Sequence, residues 1–129
     1  SITAVCSTAN LELVKSLGAE RAIDYTQEDF TKRNELFDIV FDAVGKTSYA
    51  KSKGALKPKG KYVSVVASGH AKMEPEDLNF LTKLVETGKL KPVIDRCYPL
   101  EQMAEAHGYV DQGHKRGNVV ITVAHSSKT

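Results

Sequence analysis

The sequence predicts an α/β fold, a mainly parallel sheet between layers of helix. Three observations carry that expectation. Short β-branched apolar runs alternate with segments of helical period along the whole chain. The run Phe37 to Val44 (FDIVFDAV) is apolar on nearly both faces, as a strand covered on two sides requires. Glycine or proline punctuates most junctions between these segments.

Ile2 to Cys6 is a short β-branched apolar run and predicts a buried strand. Leu11, Val14 and Leu17 recur at near-helical spacing, and Gly18 supplies the stop. Ala22 to Tyr25 predicts a second strand. Phe37 to Val44 is the third and strongest, and Gly45 ends it. A short helix is expected over Ser48 to Leu56, then a turn at Lys57-Pro58-Lys59-Gly60. Lys61 to Ala67 (KYVSVVA) predicts a fourth strand. Pro75 suits the first turn of a helix, and Glu76 and Asp77 favour its positive end. That helix carries Phe80, Leu81, Leu84 and Val85 on one face and stops at Gly88. Val93 to Tyr98 is extended. Leu100, Met103, His107 and Val110 mark a further amphipathic helix, closed by Gly113. Val119 to Val123 is the last strand, and the final six residues are expected to fray. No internal repeat, linker or low-complexity stretch interrupts this order, so one domain over residues 1–129 is expected.

Composition narrows the function. Hydrophobic residues make up 41% of the 129, an ordinary share for a globular chain. The net charge of +2 gives no warrant for a nucleic-acid or membrane partner. Lysines crowd between Lys46 and Lys61, and a solvated face around a helix and turn accounts for them. No apolar run approaches the ~20 residues of a membrane span, and no signal peptide is visible. Cys6 and Cys97 have neither metal-site nor disulfide-framework spacing, which points to the reducing cytoplasm. An apolar strand pattern begins immediately after Ser1, as expected for a piece of a longer or processed chain.

Ligands of parallel α/β sheets bind at the carboxyl ends of strands. Those ends hold Cys6-Ser7-Thr8-Ala9-Asn10, Tyr25-Thr26, Asp42-Ala43-Val44-Gly45 and Ala67-Ser68-Gly69. A strand that binds an adenine ribose often ends in Asp or Glu, which takes both ribose hydroxyls. Cys6 and Ser7 stand there instead, which leans toward a 2′-phosphate and NADP. Ser7 and Asn10 are equally suited to cap the following helix. The GxGxxG loop that cradles a pyrophosphate occurs nowhere in these residues. His107, on an apolar helix face, is expected to be packed. No HExxH, CxxC or clustered His/Cys/carboxylate set predicts a metal, and no GxSxG predicts a hydrolase. Asp38 and Asp42 are expected at strand ends as polar terminators.

The segments STANLELVKSLGAERAIDYTQEDF, FDIVFDAVG, LKPKGKYVSV, ETGKLKPVIDRCYPLEQMAEAHGYV and GHKRGNVVITV follow one another in order. Together they resemble the C-terminal half of zinc-independent medium-chain dehydrogenases/reductases of the quinone oxidoreductase type. The most specific stretch is GKLKPVIDRCYPLEQMAEAH. The resemblance implies a Rossmann-like three-layer domain, incomplete here because its first strand and Gly-rich loop are absent. About residues 89–129 would include the returning segment of the catalytic domain. It implies an NADPH-dependent reductase of quinones, activated alkenes or similar carbonyl compounds, with no metal and no catalytic residue in this part. Among matching positions, Ser7 and Thr8 fall at the 2′-phosphate and Tyr25 near the adenosine phosphate. Val44 and Gly45 fall beneath the adenine and its ribose, and Val66, Ala67 and Ser68 near the nicotinamide. Asn118 stands beside the last strand. The family often carries a basic residue just after the serine, where this chain has Thr8 and Ala9. Open sheet edges are expected to drive a homodimer or swapped oligomer, and the part alone is expected to be inactive. Two other readings compete: an S-adenosylmethionine-dependent methyltransferase, from FDIVFD followed by LKPKGKYVSV, and a non-catalytic dimerising module.

Overall fold

The computed structural model describes residues 1–67, 72 and 74–123. The chain forms two compact units, Ser1–Lys72 and Met73–Thr129.

In the first unit, β1 (Thr3–Cys6) pairs in parallel with β2 (Arg21–Asp24), in a register that sets Cys6 opposite Asp24. A parallel pair needs a crossover. Here it is a 3-10 turn at Thr8–Asn10 running into α1 (Leu11–Ser16). Gly18, at φ 104°, takes the left-handed conformation that ends the helix. Ile23, 2% exposed, is the buried centre of this pair.

The second parallel pair joins β3 (Phe37–Asp42) to β4 (Leu56–Ser64). The predicted helix from Ser48 is shorter than expected. α2 covers Tyr49–Ser52, a 3-10 turn follows at Lys53–Ala55, and the strand begins at Leu56. Ser48 starts α2, its hydroxyl accepting the Lys51 amide at 3.3 Å. The predicted Lys57–Gly60 turn survives as an irregularity inside β4. Phe37 faces Leu56, whereas Ile39 already faces Lys61. That bulge brings backbone against Gly60, where a β-carbon would stand 2.9 Å from the Phe37 carbonyl oxygen.

Two expectations for these strands are corrected. β3 stops at Asp42, before Val44, and is not covered on both faces. Among the described residues it pairs only with β4, and Ile39 and Phe41 are each 61% exposed. A two-stranded sheet supplies neither the second edge partner nor the cover that a central strand needs. Asp38 and Asp42 also differ. Asp38 is exposed and ion-paired with Lys57 at 2.9 Å, whereas Asp42 is buried.

In the second unit, α3 (Pro75–Glu86) begins with Asp77 accepting the Glu74 amide at 3.0 Å. Gly88 ends it in the left-handed conformation, at φ 69°. β5 (Ile94–Pro99) then pairs in parallel with β6 (Asn118–Thr122). Between them lie a 3-10 turn at Leu100–Gln102 and α4 (Met103–Asp111). Asp95 ties the segment before β6 to α4, accepting from the Tyr109 hydroxyl and the Arg116 amide, both at 2.7 Å. The Arg96 guanidinium stacks 3.8 Å over the Tyr109 ring. His107 is exposed, contrary to its expected packing. The inward side of α4 is Ala106, with Tyr109 and Val110 half-buried. Ala106 and Tyr109 lie three residues apart and share a face, and His107 points off it.

Candidate functional site

Two polar rims form at the carboxyl ends of the parallel pairs in the first unit. The first gathers Ser7, Thr8 and Asn10 after β1 with Asp24, Tyr25 and Thr26 at the end of β2. Cys6 opposite Asp24 in the register brings these two ends level, and the Tyr25 amide donates to the Cys6 carbonyl at 3.0 Å.

Neither Ser7 nor Asn10 caps the helix with its side chain, so the capping expectation is corrected. The 3-10 turn closes through backbone instead, Asn10 N donating to the Ser7 carbonyl at 2.9 Å. The Ser7 hydroxyl receives only a long 3.5 Å contact from Asn10 Nδ2. Asn10 Oδ1 is buried without a hydrogen-bond partner. Buried acceptors are rarely left so.

The sequence placed no acid after β1. The acid comes from the neighbouring strand. Thr8 donates its hydroxyl to Asp24 Oδ2, and Thr26 donates its amide at 2.9 Å and its hydroxyl at 2.7 Å to Oδ1. The Thr8 hydroxyl and then the Thr26 hydroxyl hold the Asp24 carboxyl below the usual carboxylate range. Burial, with Asp24 nearby, pushes the Cys6 thiol up. Tyr25 extends into solvent.

The second rim brings together Val44 and Gly45 after β3 with Val66 and Ala67 after β4. An open cavity of about 440 Å³ lies here, lined by Gly45, Thr47, Tyr49, Tyr62, Ser64 and Val66 among others. Its organiser is Asp42, 7% exposed. Oδ1 accepts the amides of Val44 at 3.1 Å, Gly45 at 2.8 Å and Lys46 at 3.3 Å. Oδ2 accepts the Thr47 amide and the Tyr62 hydroxyl, each at 3.1 Å. Burial pushes the Asp42 carboxyl up, but the amides of Thr47, Val44 and Gly45 and the Tyr62 hydroxyl outweigh it and hold it low. Burial, together with Asp42, pushes the Tyr62 phenol up against the opposing Ser64 hydrogen bond.

Ser68 lies outside the described residues. Asn118 begins β6 in the second unit, its side-chain amide donating to the Val93 carbonyl at 3.1 Å. The sequence reading named Thr26 and Asp42 at strand ends but missed Asp24 and Tyr62 as parts of these rims, and it took Asp42 for a polar terminator, not an organiser. For Asp42 a signal existed: an Asp at a strand end with Gly three residues later marks an Asx-type loop. For Asp24 the IDYT stretch offered an Asp with Thr two residues on. Tyr62 carried no local signal, because its partner is on another strand.

The geometry suits the ribose ends of a dinucleotide. Both rims offer hydroxyls. It does not suit the pyrophosphate, because the successive amides of residues 44–47 are already taken by Asp42. Among the described residues no three His, Cys, Asp or Glu side chains gather to hold a metal. No helix among them is long and apolar enough to cross a membrane.

Relatives of known activity resemble the chain over nearly its whole length. It is 36% identical over 129 residues to the chloroplastic NADPH-dependent alkenal/one oxidoreductase of Arabidopsis thaliana, spanning 93% of this chain and 33% of that protein. It is 38% identical over 133 residues to the 2-methylene-furan-3-one reductase of Solanum lycopersicum, with the same coverage of each. The chain thus spans about a third of the length of these relatives. Its fold matches the quinone oxidoreductase of Coxiella burnetii with a TM-score of 0.78 and 27% identity, over 96% of this chain and 45% of that one. These likenesses bear out the expected Rossmann-like class and the oxidoreductase family. The profile of the family described as zinc-binding dehydrogenase matches residues 17–75 and 66–121, and the chain belongs to that family.

Proposed function

We propose that the chain forms the nucleotide-facing C-terminal part of an NADPH-dependent oxidoreductase that passes hydride to a quinone, an alkenal or enone, or a similar carbonyl substrate. The observation that carries this reading is the pair of polar rims at the carboxyl ends of parallel strands, in a chain that is 36% identical to an NADPH-dependent oxidoreductase.

When bound, the nicotinamide supplies the hydride. The chain's own residues bind and orient. The uncommitted Ser7 hydroxyl, Thr8 and Tyr25 face the adenosine ribose and its 2′-phosphate. Val44, Gly45, Val66 and Ala67 line the surface under the adenine and toward the nicotinamide, and Ser68 is the next residue in the sequence. Asn118 borders the final strand. No metal role is assigned to this part, which is read as zinc-independent. Cys6 and Cys97 are free, and this supports a reducing compartment, the cytoplasm. Substrate contacts come from parts of the enzyme outside this chain, so the chain alone is inactive. Its open β1 and β3 edges and the exposed Ile39 and Phe41 support self-association with a second copy.

NADPH oxidation, followed by absorbance with an enone and with a quinone, tests the activity. The chain alone should give no turnover, and a full-length enzyme carrying it should consume NADPH. A full-length enzyme inert toward both substrate classes contradicts the reading. A strictly monomeric species in light scattering at high concentration contradicts the self-association.

A further inference from the structure

We propose that Asp42 and Tyr62 are positioning residues that clasp the two loops of the second rim, residues 43–47 and 64–67, into one cofactor surface. This rests on reading that rim as a cofactor surface.

Four successive amides, Val44 to Thr47, converge on the Asp42 carboxylate. Converging amides of this kind ordinarily make an anion site. Asp42 fills the place as a built-in anion, so the loop presents a fixed shape to a ligand and not a phosphate cradle. The second loop is built the same way on a smaller scale. The Ser64 hydroxyl oxygen accepts the amides of Val66 at 3.2 Å and Ala67 at 3.4 Å.

Tyr62 joins the two. It stands two residues before Ser64 on β4, and its hydroxyl donates to the same Asp42 oxygen that holds the Thr47 amide. Its ring is fixed edge-on to Tyr49, centroids 6.4 Å apart. Backbone adds one further tie, Val65 N donating to the Asp42 carbonyl at 3.1 Å. Gly45 and Val66 then meet where the loops touch. A hydrogen bond from Tyr62 to a charged and buried acceptor is stronger than one between neutral groups, so its loss should loosen both loops together.

Tyr62→Phe removes the bridging hydrogen bond to Asp42, together with the Ser64 hydrogen bond to the phenol, and leaves the ring and each loop's own amide bonds in place. In the ligand-free full chain, amide hydrogen exchange at Val44 to Thr47 and at Val66 and Ala67 should quicken in this variant. The NADPH dissociation constant should rise about tenfold or somewhat more, the lower end of the effect of one hydrogen bond to a charged group. Asp42→Asn keeps one carbonyl acceptor but turns an NH2 group toward the Thr47 amide, and should weaken binding further. The double variant should lose less than the product of the two single losses, because Tyr62 acts in large part through Asp42. A purely structural role would lower the melting temperature and leave both loop exchange and NADPH affinity of the folded protein unchanged, and that result overturns the proposal. Multiplying losses in the double variant overturn it too. If wild-type protein binds NADPH and Tyr62→Phe binds equally well, the clasp fails and the cofactor reading stands. If wild-type protein does not bind NADPH at all, the cofactor reading fails, and the positioning role with it.

Discussion

Gly45 and Val66 meet so closely that a β-carbon on the glycine would stand 2.6 Å from Val66 Cγ2. Gly45 also sits at φ 74°, in the left-handed region. Sequence and packing therefore demand the same residue for two reasons. Gly45→Ala should destabilise the first unit by about 1–2 kcal/mol from the backbone alone, with the contact to Val66 in addition. Adding Val66→Ala relieves the contact and not the backbone strain, so the double variant should recover part of the loss. Chemical denaturation of the three variants measures this. A double variant no more stable than Gly45→Ala contradicts the contact.

The Thr8–Asp24–Thr26 cluster bears on which dinucleotide is preferred. Asp24 is held ionised beside Thr8 by two threonine hydroxyls. A fixed negative charge there opposes a 2′-phosphate, and neither Thr8 nor Ala9 offsets it. Asp24→Asn should therefore shift the ratio of NADPH to NADH affinity toward NADPH by about two- to fivefold, the size of a partly screened charge interaction. Fluorescence titration with both nucleotides gives the ratio. An unchanged ratio places the 2′-phosphate elsewhere.

Acid stability follows from the same kind of group in the second unit. The Arg116 amide first, and then the Tyr109 hydroxyl, hold the Asp95 carboxyl below the usual carboxylate range. A carboxyl whose pKa is depressed on folding adds stability above its unfolded value, and loses it as pH falls through the folded one. The urea midpoint should therefore stay level from pH 7 to about 5 and drop below about 4. Asp95→Asn should lower the neutral-pH midpoint and flatten the acid decline. Parallel curves for the two proteins contradict this account of Asp95.

Much of the fold was legible because it rests on local pattern. Gly18, Gly88 and Gly113 each end a helix at positive φ, as their places in the sequence implied. The Lys57-Pro58-Lys59-Gly60 turn appears as the register jump between Phe37 and Ile39. What escaped was non-local. FDIVFDAV promised a strand covered on both faces, but a strand's composition does not state which neighbours are present to cover it. His107 has helical spacing with Leu100 and Met103, yet the buried face of α4 is set by Ala106 and Tyr109, through the reach of Tyr109 to Asp95. Of the site, Ser7, Thr8 and Tyr25 were placed from strand ends. Asp24 and Tyr62 were not, because each acts on a residue 16 to 20 positions away.

The two rims are proposed to hold a nicotinamide dinucleotide. Thermal unfolding of the purified chain, with rising NADPH, NADH or S-adenosylmethionine, tests it most directly, since a ligand bound only by the folded state raises the melting temperature once its concentration exceeds Kd. The melting temperature should rise with NADPH concentration, rise less with NADH, and stay unchanged with S-adenosylmethionine. A rise with S-adenosylmethionine alone, or no response to either dinucleotide, would contradict that proposal.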